Sequence, residues 1–279
     1  MIQDMTLTYA GGPVGVLLIH GLGGTPVELK VVAKGLHKAG FTVHCCQLAG
    51  HCGTEEDLLA TDWYDWFKSV EVALEQLRGQ CTSVVVGGLS MGAVMALHVA
   101  AKHPDKIAGL TLFGPTLRYD GWSLPWYNFL LRVLIDTPIG RRFRFVEAFP
   151  YGIKDERIRK IIHAAMTSGN SAEAGLLGTP SLSIRELWRL NATVVAELST
   201  IKTRTLIIHA REDDIAGLSN AFTLQKELGG LVDVLVLDDS YHLVTIDRQR
   251  DLVIRRSAEF IAGLTASAPH RQAVTVAAG

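Results

Sequence analysis

Ser83-Val84-Val85-Val86-Gly87-Gly88-Leu89-Ser90-Met91-Gly92 is the stretch on which the fold turns. A β-branched run leads into Gly88-x-Ser90-x-Gly92, and a helical pattern from Ala93 to Ala101 follows. Strand, abrupt turn and helix in that order need small residues two places either side of the serine, because larger side chains collide in the turn. The same turn lifts the Ser90 hydroxyl above the sheet edge and aims the first N–H groups of the helix at one spot. Ser90 is the candidate nucleophile, against the plainer reading of a glycine-rich turn that happens to hold a serine.

Working outward, Val14 to Ile19, Phe41 to Cys46, Ser83 to Val86, Ile107 to Phe113, Thr205 to Ile208 and Val232 to Leu237 read as buried strands. Several are separated by segments of helical pattern and length, which implies crossover connections and a mostly parallel, doubly wound α/β sheet covered on both faces. Thr25-Pro26-Val27-Glu28 pairs an N-cap hydroxyl with a first-turn proline and a glutamate placed to reach back, so a helix is expected from Pro26 to Ala39. Ser183-Ile184-Arg185-Glu186 repeats the capping pattern, and its helix should end near Leu198.

The alternation fails between about Leu117 and Leu198, where no strand is evident. We read residues 118–198 as a helical cap inserted in a core made of 1–117 and 199–264, with 265–279 a disordered tail. Trp122 to Ile135 is apolar on nearly every face, and a helix of that kind must be buried.

Of the 279 residues, 27 are basic and 28 acidic, so there is no excess of positive charge to hold nucleic acid. Cys45, Cys46, Cys52 and Cys81 lack the C-x-x-C spacing of a zinc or redox site, and they suit a reducing cytoplasm. The first residues do not read as a signal peptide, and the run Val14 to Ile19 is too short to span a bilayer. No stable membrane insertion is expected, and oligomeric state is left open.

Upstream, His20-Gly21-Leu22-Gly23-Gly24 follows the first long strand. Its glycines let backbone approach a reacting carbonyl, so the amides of Leu22 and Met91 are the candidate oxyanion hole. His20 more often orders such a loop than does chemistry. With these elements the chain resembles the α/β-hydrolase superfamily, and within it the small bacterial carboxylesterases and monoacylglycerol lipases with a compact helical cap. The likeness runs from about Val14 to Leu264 and includes Ala49-Gly50-His51-Cys52-Gly53, where cysteine replaces the second glycine of a usual Gly-His-Gly.

The resemblance implies a triad in the chain order serine, acid, histidine. The acid segment is Ala210-Arg211-Glu212-Asp213-Asp214, in which Ala210 replaces the usual glycine and Asp213 aligns with the acid. Asp214 and Glu212 are its alternatives, and two of the three should be solvated loop charges. The base is His242, after Tyr241 where a glycine is common. His209, inside a strand, reads as a core residue.

The implied reaction is hydrolysis of carboxylic esters of short to medium acyl chain, or of monoacylglycerols, through an acyl-enzyme on Ser90. Thioester cleavage, C–C hydrolysis and acyl transfer are alternatives with the same triad, and a non-catalytic receptor on the same fold is a further one. No cofactor or metal is required. Trp122, Trp126, Tyr127 and Phe129 are the candidate substrate pocket, the other reading being that they only pack the cap.

Overall fold

The computed structural model describes residues 2–125, 129–146, 149–167, 175–176 and 178–266. Its strands are β1 (Leu7–Tyr9), β2 (Val14–Ile19), β3 (Thr42–Cys46), β4 (Ser83–Leu89), β5 (Gly109–Phe113), β6 (Arg144–Val146), β7 (Gly178–Pro180), β8 (Thr205–Ala210) and β9 (Val232–Leu237). Among the described residues they form a seven-stranded sheet in the order β1-β3-β2-β4-β5-β8-β9, with β6 and β7 paired apart from it. β1 joins β3 antiparallel, and the other pairings of the large sheet are parallel.

The helices are α1 (Lys30–Lys38), α2 (Glu55–Leu59), α3 (Trp63–Arg78), α4 (Met91–Lys102), α5 (Phe129–Leu134), α6 (Glu156–Thr167), α7 (Ser181–Glu197), α8 (Ser219–Glu227) and α9 (Arg250–Ala266). Alternate side chains of each strand enter opposite layers. Leu17, Ile19, Val84 and Val86 pack with α3, α4 and α8, whereas Val16, Leu18 and Val85 pack with α1 and α9. Both faces are covered, which is why β2 and β4 read as unbroken apolar runs rather than alternating ones.

Register decides where chemistry can sit. Ile19 pairs with Gly88 and with Cys46, Leu89 with Phe113, and Phe113 with Ile208. The chain therefore leaves β2, β4, β5 and β8 at one edge, carrying His20, Ser90, Gly114 and Arg211 out together. In open parallel sheets this carboxyl edge is where ligands bind.

The elements differ from the sequence reading in several places. Phe41 and Ile107 lie just before their strands, and β4 and β8 run on to Leu89 and Ala210. Pro26–Leu29 is a 3₁₀ turn that precedes α1; Thr25 caps it, but Glu28 reaches back to the Gly21 amide instead of the cap residue. α7 starts at Ser181, so Ser183 lies buried in its first turn and caps nothing, while Glu186 pairs with Arg185 and Arg189. Three of its apolar residues, Leu187, Leu190 and Val194, join the layer of α3 and α4.

The stretch 118–198 was expected to hold no strand, yet β6 and β7 pair within it. Each is three residues long, too short for period-two alternation to show. Of the helix expected from Trp122 to Ile135, 122–125 are not helical, 126–128 lie outside the described residues, and Phe129–Leu134 form α5, which is not buried. Phe129, Leu130, Val133 and Leu134 are 43–73% exposed. Thr265 and Ala266 belong to α9 rather than to a tail, and 267–279 lie outside the described residues. Among the described residues no helix is long and apolar enough to cross a membrane.

Candidate active site

Ser90 has φ 57° and ψ −116°, a left-handed region that a residue with a β-carbon avoids. Its amide donates to Phe113 O at 2.9 Å, which ties the turn to the end of β5. A β-carbon on Gly88 would collide with the Gly92 carbonyl, and one on Gly92 with Ile19 O. Both glycines are thus dictated by crowding, as the motif demands. Met91 is the first residue of α4, where backbone N–H groups have no intrahelical acceptor.

The loop after β2 is held from two sides. His20 is fully buried, and burial together with neighbouring His51 lowers its pKa to about 3, so the ring is neutral. Its Nε2 accepts the Leu48 N–H at 3.2 Å, and its Nδ1 therefore carries the proton it donates to Gly21 O at 2.9 Å. From the other side Glu28 Oε2 accepts the Gly21 N–H at 3.3 Å. His20 orders the loop, as its position suggested, and Leu22 lines the cavity above.

His242 Nδ1 lies 2.8 and 3.0 Å from the two carboxylate oxygens of Asp213. Asp213 Oδ1 also accepts the N–H groups of Ile215 and Ala216, at 2.9 and 2.7 Å. Burial pushes its carboxyl up, but the charge and hydrogen bond of His242, then His209 and the Ala216 amide, outweigh this and hold it below the ordinary range. Gly114 has φ +50°, and a β-carbon there would stand 3.3 Å from the His242 ring. The chain end of β5 is bare so that the imidazole can lie against it.

The three acidic neighbours have separate fates. Glu212 is exposed and pairs with Lys154 at 2.7 Å. Asp214, expected as a solvated charge, is buried, and it accepts backbone N–H groups instead of facing His242 Nδ1. Burial, and then the charge of Asp213, raise its pKa. His209 is a core residue, as expected, with Nε2 donating to Ala216 O at 2.7 Å.

A cavity of about 320 Å³ opens onto Ser90 and His242. Its wall is largely apolar, with Leu22, Phe129, Leu131, Phe145, Ile184, Trp188 and Leu243 prominent, and Glu28, Tyr151 and Thr179 add polar groups. This composition and size suit a small organic ligand. Of the expected pocket residues Phe129 is present. Trp122 is not: it is 58% exposed, donates its ring N–H to Glu212 O at 3.0 Å, and rests on the Tyr241 ring. Trp126 and Tyr127 lie outside the described residues.

A family model described as "Serine aminopeptidase, S33" matches residues 14–249. The chain belongs to that family. It is a hydrolase of the carboxylesterase and lipase type on the α/β-hydrolase fold. A thermostable monoacylglycerol lipase of Bacillus sp. (strain H-257) is 31% identical over 90% of this chain and 91% of its own. A carboxylesterase of Bacillus subtilis (strain 168) is 26% identical over 94% and 97%. A solved structure from work on LipS and LipT, two metagenome-derived lipolytic enzymes, superposes with TM-score 0.79 at 28% identity, covering 92% of this chain and 97% of that one.

Within this serine aminopeptidase family chain, sequence reasoning missed three site residues. Thr116 Oγ1 lies 3.1 Å from Ser90 Oγ and also 3.1 Å from Gly114 O, to which it donates. Glu28 holds the Gly21 amide and lines the cavity although it resembled part of a helix cap. Trp188 sits on α7 among residues that form an ordinary apolar stripe, so periodicity alone could not separate it from the core.

Proposed function

We propose that Ser90, His242 and Asp213 are a catalytic triad that cleaves carboxylic esters of short to medium acyl chain, monoacylglycerols among them. The observation that carries this is the placement of Ser90 and the Asp213-bound His242 on the wall of one apolar cavity. Similarity to a monoacylglycerol lipase and a carboxylesterase over nearly the full chain supports the substrate class.

Asp213 occupies Nδ1 of His242, which leaves Nε2 as the nitrogen that takes the Ser90 proton. Ser90 Oγ attacks the ester carbonyl, and the amides of Leu22 and Met91 receive the oxyanion that forms. His242 returns the proton to the leaving alcohol, and an acyl group remains on Ser90. Water, deprotonated by His242, then releases the carboxylic acid and restores the serine. The segment 118–198 acts as the cap, with Phe129, Phe145 and Trp188 holding the acyl chain.

The described cysteines are free thiols, and burial pushes Cys46 and Cys52 up to about 12, too high for easy reaction. This fits a cytoplasmic protein without disulfides, and with its balanced charge a small ester is the partner rather than nucleic acid. The test is turnover of p-nitrophenyl esters from acetate to laurate and of monoacylglycerols. A maximum among the short to medium chains is expected. Cleavage of aminoacyl amides with no ester turnover would overturn it.

A further inference from the structure

Two buried carboxylates join the inserted segment to the loop that carries His242. Asp214 accepts the Gly152 N–H at Oδ2, 3.0 Å, and the His242 N–H at Oδ1, 3.2 Å. Asp247 repeats the arrangement one step further on. It accepts Lys154 N–H at 2.9 Å and Tyr241 N–H at 2.7 Å on Oδ2, and Asp155 N–H at 2.8 Å on Oδ1. Both residues are fully buried. Between them, Gly152 O accepts the Leu243 N–H at 2.8 Å.

Each carboxylate thus takes donors from both sides of one seam, residues 152–155 on one side and 241–242 on the other. Neither can be satisfied unless the two segments are docked, and buried carboxyl oxygens left short of donors are strongly disfavoured. The seam is also tight. Gly152 has φ +70°, and a β-carbon there would stand 3.0 Å from Leu243 Cγ and 3.3 Å from His242 Cβ. Tyr151, next to it, has φ 58° and lines the cavity.

We infer that Asp214 and Asp247 are positioning residues that fix the His242 backbone and the Tyr151 wall of the cavity as one body. The inference rests on the reading of His242 as the base. Neither residue touches the reacting atoms; they act through main-chain amides. Asparagine cannot replace them, because it has one acceptor oxygen and its NH₂ would face N–H donors.

The test uses the full chain with Asp247→Asn and, leaving both carboxylates intact, Gly152→Ala. On p-nitrophenyl acetate, whose acyl group is the smallest, both should lower kcat ten- to a hundredfold while KM stays within threefold. Amide hydrogen exchange should quicken together in 150–155 and 240–247. A seam that serves only to hold the cap would leave acetate kcat within twofold and raise KM for long-chain esters alone; that result, or exchange that quickens on one side only, overturns the inference. If Asp247→Asn does not fold, Gly152→Ala carries the same two readings. A wild type that cleaves no ester refutes the proposed reaction instead, and the exchange experiment still decides the seam.

Discussion

Asp213 meets the Nδ1 edge of His242 with both carboxylate oxygens, at 2.8 and 3.0 Å, while two backbone amides brace its Oδ1. The carboxylate is therefore held by the backbone as well as by the histidine. Nothing in the arrangement needs to move for the imidazole to be fixed in one tautomer.

Asp213→Asn should lower kcat by about 10⁴, the scale seen when a triad aspartate is amidated. Glu212→Gln should stay within about twofold of wild type, since an exposed ion pair contributes ~1 kcal/mol or less and no catalytic geometry. Steady-state kinetics on one ester check both. A large loss in Glu212→Gln with a small one in Asp213→Asn would move the acid.

Removing the Thr116 hydroxyl separates stability from chemistry. Thr116→Val leaves the buried Gly114 carbonyl without this donor, which should cost about 1–3 kcal/mol. Thr116 donates to that carbonyl, so its oxygen accepts a hydrogen bond from the Ser90 O–H in the resting enzyme. Without it the serine hydroxyl is freed toward His242, and phosphonate labelling should be no slower than wild type. Labelling slowed a hundredfold would make Thr116 part of the chemistry.

Acyl-chain preference should follow the cavity wall. Trp188→Ala and Phe129→Ala should change the preferred chain length, with acetate turnover affected far less. Trp122→Ala, outside the cavity, should leave the preference unchanged. A panel of graded nitrophenyl esters measures this, and a shift caused by Trp122→Ala alone would contradict the assignment of the wall.

Stability should fall on mild acidification. His20 and His51 are buried and held at about 3 and about 4, below the ordinary histidine value. The unfolded chain takes up these protons first, so the contribution is intact above about pH 6.5 and is lost as pH falls toward the folded values. Each histidine lowers stability by up to about 1.4 kcal/mol for every pH unit of acidification in that window. Urea melts between pH 7 and 5, where most carboxylates are still ionised, should show the decline. A flat profile would mean that these rings are accessible to protons.

The sheet and its edge were legible because their causes are local. The unbroken apolar runs, the forced glycines around Ser90 and the serine, acid, histidine order all follow from short-range sterics and from covering both sheet faces. What was hidden depends on contacts distant in sequence. Asp214 looked like a spare charge until Gly152, 62 positions away, was seen to donate to it. Trp122 follows Gly121 in a loop and Trp188 lies within a helical stripe, and neither setting shows that the first is outside the cavity and the second on its wall. β6 and β7 are too short to show a period, and they exist only as a pair.

The identity of the nucleophile can be read directly by mass spectrometry after incubation with an alkyl fluorophosphonate. One adduct per chain is expected on the tryptic peptide that begins at Gly79 and contains Ser90, with loss of ester turnover in proportion. Ser90→Ala, which removes one hydroxyl and opens no cavity of consequence, should melt close to wild type and take up no label. Inactivation with the adduct on any other residue, or no adduct on a folded wild-type chain, would contradict the assignment of Ser90 as the residue that carries the acyl group.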